Sequence, residues 1–143
     1  MSSGRGKPCK EERPLKSRDF ALKAANAALM KKAGDLVILD LAELTSIADY
    51  FVICSGESTT QVRSIAESVE HELSKKGQKP IGREGLDYSH WVLLDYGDVI
   101  IHIFEKETRD YYSLEKLWMD AKTIKIDEDK TDMGGKDKRA VHP

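Results

Sequence analysis

The chain has 143 residues, of which 40% are hydrophobic and 34% charged, and this length allows one folded domain with a genuine core. Its longest unbroken apolar stretches, such as Leu36 to Leu39, are too short to span a bilayer, and the polar, basic N-terminal residues hold no secretory signal. The two cysteines, Cys9 and Cys54, exclude a disulfide scaffold and favour a reduced, cytoplasmic protein.

The formal net charge of −2 is an average over three unlike parts of the chain. Residues 1–18 carry +4, residues 127–143 carry −1, and the 108 residues between them carry −5. Both ends are polar, so we predict a disordered basic arm over 1–16, one domain over 17–126 and a disordered polar tail over 127–143. An acidic domain is poorly suited to bind nucleic acid directly, because such binding requires a basic surface. The arm has the charge to touch RNA, although such runs are usually only solvated.

The first half of the domain is predicted to form a helix, two strands and a second helix. The first helix begins with Ser17 as its N-cap and ends at Gly34. Two apolar runs, 36–39 and 50–54, follow. Neither run alternates, so each is predicted to be a strand covered on both faces. Their connection is too short for a helical crossover, so the two strands are predicted to be antiparallel neighbours. The second helix begins with the capping box Ser58-Thr59-Thr60-Gln61, where the serine and glutamine side chains each satisfy a free backbone N–H.

The second half is predicted to form a hairpin and a last helix. After a turn-rich segment over 79–89, a strand over 91–96 turns at Gly97-Asp98 and returns over 99–104. The last helix is predicted over 108–121. The strand–helix–strand unit in the middle implies a parallel pair and the two hairpins add antiparallel pairs. The predicted fold is therefore α/β, a mixed sheet of about four to five strands with packed helices.

The hairpin sorts its side chains onto two faces, and the sorting survives a shift of the turn by one residue. One face is continuously apolar and is predicted to be core. The other face pairs Trp91 with Phe104, Leu93 with His102, and Asp95 with Ile100. This mixture of aromatic, apolar and charged side chains is typical of an interface. The alternative is that the final helix covers this face and that Asp95 and His102 satisfy each other.

The sequence gives little support for catalysis. The histidines at 71, 90, 102 and 142 lack metal-ligand spacing, and no phosphate-binding loop motif is present. We therefore predict no catalytic residue, metal or cofactor. The remaining enzyme alternative is a metal-dependent nucleotidyltransferase, with a phosphate held by the Ser55-Gly56-Glu57-Ser58 turn and metals held by Asp95, Asp98 and Glu105. Asp95 and Asp98 flank a turn instead of alternating along one strand, which favours a role in turn formation.

Ordered blocks of residues over about 17–122 resemble the ribosomal silencing factor family, also called the iojap-like family. The blocks that carry the resemblance are Ser46-Ile47-Ala48-Asp49-Tyr50-Phe51-Val52-Ile53, Ser55-Gly56, Ser58, Gln61-Val62, Glu84-Gly85, Trp91 to Val99, His102-Ile103-Phe104, Arg109, Tyr112 and Leu114-Glu115-Lys116-Leu117-Trp118. The resemblance implies a nucleotidyltransferase-like fold without the catalytic carboxylates.

The resemblance also implies a function. Members are cytoplasmic, non-enzymatic repressors of translation that bind the large ribosomal subunit through its ribosomal protein number fourteen. They block joining of the small subunit when nutrients are scarce, organelle relatives take part in large-subunit assembly, and many members form homodimers. A bare dimeric scaffold that never meets the ribosome is a third alternative.

Carried over to this sequence, the family's contact region includes Trp91 and the hairpin that follows it. We therefore expect the contact with the ribosomal protein to involve Trp91, Leu93, Asp95, Tyr96, Gly97, Asp98 and His102. Acidic side chains of the domain are expected to pair with basic side chains of that partner, with a possible peripheral contact between the basic arm and rRNA.

Overall fold

The structure is a computed structural model, and it describes residues 16–125. Almost all of the predicted arm and the whole of the predicted tail lie outside the described residues. The elements in chain order are α1 (Ser17–Leu29), β1 (Gly34–Asp40), β2 (Tyr50–Gly56), α2 (Thr59–Ser74), β3 (Gly82–Glu84), β4 (Trp91–Asp95), β5 (Val99–Glu105), α3 (Lys106–Tyr112), a 3-10 turn (Leu114–Trp118) and β6 (Lys122–Lys125). Within this part of the chain, no helix is long and apolar enough to cross a membrane.

The strands form one mixed sheet in the order β3-β4-β5-β2-β1-β6. β2 and β5 are parallel, while every other neighbouring pair is antiparallel. The connection from β2 to β5 holds α2, β3 and β4, so the parallel partner of β2 is the second strand of the predicted hairpin and not the strand that follows the helix. The mixed α/β sheet is confirmed, but the count of four to five strands was wrong, since the sheet has six strands within residues 16–125. The two missed strands, β3 and β6, are short edge strands rich in glycine or lysine, and they lack the apolar run that marks a central strand.

Helices α1 and α2 pack side by side on one face of the sheet. α1 contributes mainly alanines, which allow close approach, and the Ser68 hydroxyl of α2 donates to the carbonyl of Ala27 at 2.8 Å. The hairpin side chains predicted to be core lie beneath these helices: Val92, Leu94, Val99, Ile101 and Ile103 are all at most 1% exposed. The core assignment of this face is confirmed.

The predicted start of α2 is confirmed, and that of α1 was wrong by one residue. Ser58 Oγ accepts from the Gln61 N–H at 3.1 Å, as expected for a capping box, although Gln61 Oε1 accepts from Glu57 instead of Ser58. The N-cap of α1 is Lys16, which makes no capping bond with its side chain. Ser17 lies inside the helix, where its hydroxyl donates to Asp49 at 3.1 Å, so a long-range contact replaces the predicted cap.

The single helix predicted over 108–121 was also wrong, because Ser113 interrupts it. Ser113 adopts a left-handed conformation with φ of 48°, which ends α3 after seven residues and starts the 3-10 turn. The change of direction lays Trp118 edge-on against the ring of Phe51, with centroids 5.8 Å apart. Periodicity alone could not reveal this break, since the apolar spacing continues through it.

Candidate functional site

The hairpin register is the one predicted from the sequence. Trp91 pairs with Phe104, Leu93 with His102, and Asp95 with Ile100. We call the sheet face that bears Trp91, Leu93 and Asp95 the open face, because it lies opposite α1 and α2. These three side chains are half-buried.

The segment after β5 covers part of the open face. Leu114, Trp118 and Ala121 pack on a second apolar cluster, whose buried members are Leu39, Leu41, Ala48, Phe51, Ile53, Ile100 and Phe104. The alternative in which the last helical segment covers this face is therefore correct for its centre. It is not correct for the β4 side, where Trp91, Leu93 and Asp95 keep part of their surface accessible.

The Trp91 indole is held on several sides by other rings. It stacks on Phe104 with centroids 4.7 Å apart, and the Tyr112 ring of α3 lies at 5.0 Å. Its Nε1–H donates to Nδ1 of His102 at 3.1 Å. Tyr112 is itself 54% exposed, so the accessible part of the indole continues into an exposed aromatic ring.

His102 lies beneath Trp91 and not on the surface. Its side chain is only 4% exposed, and burial lowers its pKa from 6.5 to about 4, because a charged imidazole would lose its hydration. The ring is therefore neutral at physiological pH. A direct contact between His102 and a partner, as the sequence suggested, would require the residues above it to move aside.

Asp95 belongs to the turn and does not pair with His102. Its Oδ1 accepts from the Gly97 N–H at 2.8 Å, and Gly97 has φ of +91°, a conformation that favours glycine. The alternative in which Asp95 and His102 satisfy each other was thus wrong. Each side chain satisfies a nearer group, and Asp95 remains available at the edge of the open face.

The rest of the predicted contact set divides between two sides of the sheet. Asp98 is exposed at the turn, where its carboxylate accepts weakly from Ser17 Oγ at 3.5 Å. The Tyr96 ring instead lies on the helical side, 5.0 Å from Phe20, and burial is the main cause of the raised pKa of its hydroxyl. The structure therefore brings Trp91, Leu93 and Asp95 together on the open face and separates Tyr96 from them.

A buried arginine, for which no role was predicted from the sequence, fixes the segment that covers the open face. Arg109 is 8% exposed and donates to the carbonyl of Asp35 at 2.7 Å, to Ser55 Oγ at 2.8 Å and to Glu115 Oε2 at 2.5 Å and 2.9 Å. These bonds tie α3 and the 3-10 turn to the sheet. The only sequence feature that could have indicated this role is the position of Arg109 beside the aromatic residues Tyr111 and Tyr112 of the predicted last helix.

The residues proposed for a nucleotidyltransferase site do not come together in the structure. Asp95 and Glu105 stand at opposite ends of the hairpin, about 16 Å apart at 3.3 Å per residue. Glu105 contacts His90 Nδ1 at 2.6 Å, and Ser55 Oγ is engaged by Arg109. Among residues 16–125, no three His, Cys, Asp or Glu side chains are placed to hold a metal ion. Cys54 is fully buried, which raises the pKa of its thiol to about 12.

Comparison with known proteins gives a consistent assignment. The chain matches the family described as "Ribosomal silencing factor during starvation" over residues 14–142. It is 43% identical over 104 residues to Ribosomal silencing factor RsfS of Bacillus subtilis (strain 168), covering 73% of this chain and 88% of that protein. It is 32% identical over 91 residues to Mitochondrial assembly of ribosomal large subunit protein 1 of Mus musculus, covering 62% of this chain and 40% of that protein.

A solved structure agrees with the fold. The crystal structure of a protein from Chromobacterium violaceum superposes with a TM-score of 0.72 at 34% identity, covering 73% of this chain and 88% of that one. The family match over residues 14–142 includes all of the sequence blocks that carry the resemblance. The chain belongs to the ribosomal silencing factor family, which implies regulation in association with the ribosome.

Proposed function

We propose that this protein is a cytoplasmic, non-enzymatic repressor of translation that binds the large ribosomal subunit through its ribosomal protein number fourteen. Bound there, it sterically prevents the small subunit from joining, and it acts when nutrients are limiting. The observation that carries the proposal is the half-exposed row of Trp91, Leu93 and Asp95 on a sheet face that the last segment covers only in part.

The chemistry of this row suits a protein partner. A rigid, partly desolvated tryptophan beside a leucine is the composition of an interface hot spot. Tyr112, 54% exposed and in ring contact with Trp91, extends the aromatic surface beyond the strand. A partner that covers Trp91 would also cover part of Tyr112.

The charges on the open face favour a basic partner. Glu84 pairs with Leu93 across β3 and β4, so it lies on the same face as Asp95. Arg83 alternates to the opposite side, where it donates to Glu70 at 3.3 Å. Within the described residues of β3, β4 and β5, the charged side chains on the open face are therefore both acidic. Such a surface complements the basic side chains expected of a ribosomal protein.

The proposal is tested by subunit joining on sucrose gradients. Isolated large and small subunits are mixed at a magnesium concentration that supports joining, with and without the full chain. We expect the peak of joined ribosomes to fall as protein is added, and the protein to sediment with the large subunit. Equal joining at saturating protein, or sedimentation with the small subunit, would refute the mechanism.

Variants identify the surface. Trp91→Ala should weaken large-subunit binding by about 2 kcal/mol, or roughly 30-fold, if Trp91 is the anchor. Asp95→Asn keeps an acceptor for the turn and removes one charge, and it should weaken binding only a few-fold. Glu67→Gln removes the same charge from the exposed surface of α2, on the other side of the sheet, and serves as the matched control. Thermal unfolding of each variant separates lost contact from lost fold.

Three further expectations belong to the same proposal. The name of the mouse relative suggests a role in large-subunit assembly, which depletion followed by analysis of subunit precursors would test. A homodimer is expected from the family resemblance, and light scattering across concentrations decides it. A contact of the basic arm with rRNA predicts that deleting residues 1–15 weakens binding and lowers its salt dependence.

A further inference from the structure

We infer that His102 is a positioning residue, whose Nδ1 holds the Trp91 indole in the orientation that the open face presents to a partner. The consequence for binding rests on the proposed function. The geometry rests on the hydrogen bond itself, which can be measured without a partner. The sequence predicted that His102 contacts the partner directly, whereas in the structure it lies buried beneath Trp91 and supports that residue.

The bond fixes which nitrogen of His102 carries the proton. An indole N–H can only donate, so the imidazole Nδ1 at 3.1 Å must be an unprotonated acceptor and the ring proton must reside on Nε2. Nε2 is buried and has no hydrogen-bond partner within the described residues. The centroids of the Phe51 ring and the His102 imidazole are 4.6 Å apart, and the two ring planes meet at 62°. The histidine thus leaves its own donor unpaired while it satisfies the indole.

Stacking alone would not fix the orientation of Trp91. Ring contacts with Phe104 and Tyr112 tolerate sliding and rotation, because dispersion is weakly directional, whereas an N–H···N bond demands alignment. The bond also engages the one polar atom of the indole inside the domain. The part of Trp91 that a partner meets is therefore entirely apolar, which fits an aliphatic or planar side chain better than a hydrogen-bonding one.

Two substitutions of similar shape isolate the bond. Asparagine and leucine both branch at Cγ, but only asparagine offers an acceptor near the position of Nδ1. In His102→Asn the indole proton should stay protected from solvent exchange, as in the wild type. In His102→Leu it should exchange freely and its NMR signal should shift upfield. The two indole signals are assigned from Trp118→Phe, and urea unfolding of both variants verifies that each is folded.

Binding to isolated large subunits is the second readout. We expect His102→Leu to bind about tenfold more weakly, because the indole would hold its docking orientation only about a tenth of the time, and His102→Asn to restore most of the affinity. The inference is overturned if the wild-type indole proton exchanges as fast as that of the leucine variant, or if a folded leucine variant binds as tightly as the wild type. If wild-type protein fails to bind large subunits, the proposed function fails, and the exchange measurement alone decides whether His102 positions the indole.

Discussion

The buried, neutral His102 should make the stability of the domain decline in mild acid. Its pKa is about 4 in the folded state, against 6.5 in the unfolded chain. Between these values the unfolded chain binds a proton that the folded domain does not, so the free energy of unfolding falls as the pH drops below 6.5 and the loss is complete near pH 4. At pH 5 the drop covers about 1.5 pH units at roughly 1.4 kcal/mol each, or about 2 kcal/mol.

The assay is urea unfolding at pH 7 and pH 5, with wild type compared to His102→Asn. Asparagine does not titrate, so carboxylates elsewhere affect both proteins equally and cancel in the comparison. The wild type should lose about 2 kcal/mol more than the variant between the two pH values. Equal losses would mean that His102 titrates with its ordinary pKa in the folded state. In that case it would not be the dry acceptor beneath Trp91.

Two further predictions concern the supports of the open face. Gly85 has φ of +86° and a Cβ there would lie 2.0 Å from the Trp91 carbonyl oxygen, so Gly85→Ala should cost about 3 kcal/mol or more in urea unfolding. Gly77→Ala, also at positive φ (+78°) but with nothing within 4 Å, should cost only about 1 kcal/mol, and equal costs would refute the steric argument. Arg109→Gln should cost about 2 kcal/mol in the same assay, whereas Glu72→Gln, from an exposed pair, should cost less than about 0.5 kcal/mol.

Much of the fold was predictable because alternation along a strand has a fixed period. The pairing of Trp91 with Phe104 and the apolar face beneath α1 and α2 both follow from that period and one turn. β3 and β6 were not predictable in this way. Edge strands form because a neighbour offers free backbone groups, and their own composition carries little signal.

The candidate site was predictable only as a set of side chains sharing a face. Which of them interlock depends on distances across the sheet that no spacing encodes. Asp95 accepts from the Gly97 N–H two residues away and not from His102 on the next strand. The bond to Gly97 is local and requires no long-range ordering of the chain. Arg109 was missed as a structural centre because its partners, such as Asp35 and Ser55, lie far from it in sequence.

Partial cover would allow one face to serve both the fold and the proposed docking. Trp118 of the 3-10 turn covers Phe51 and Trp91 covers Phe104, and both phenylalanines are at most 6% exposed, so the centre of the open face is already core. Trp91 stands at the border, stacked inward on Phe104 and partly exposed outward, and therefore contributes to stability and to any interface at once. A binding defect of Trp91→Ala is consequently ambiguous by itself. His102→Leu leaves the indole in place and removes only its alignment, so a folded leucine variant with weakened binding would separate the orientation of Trp91 from its mere presence.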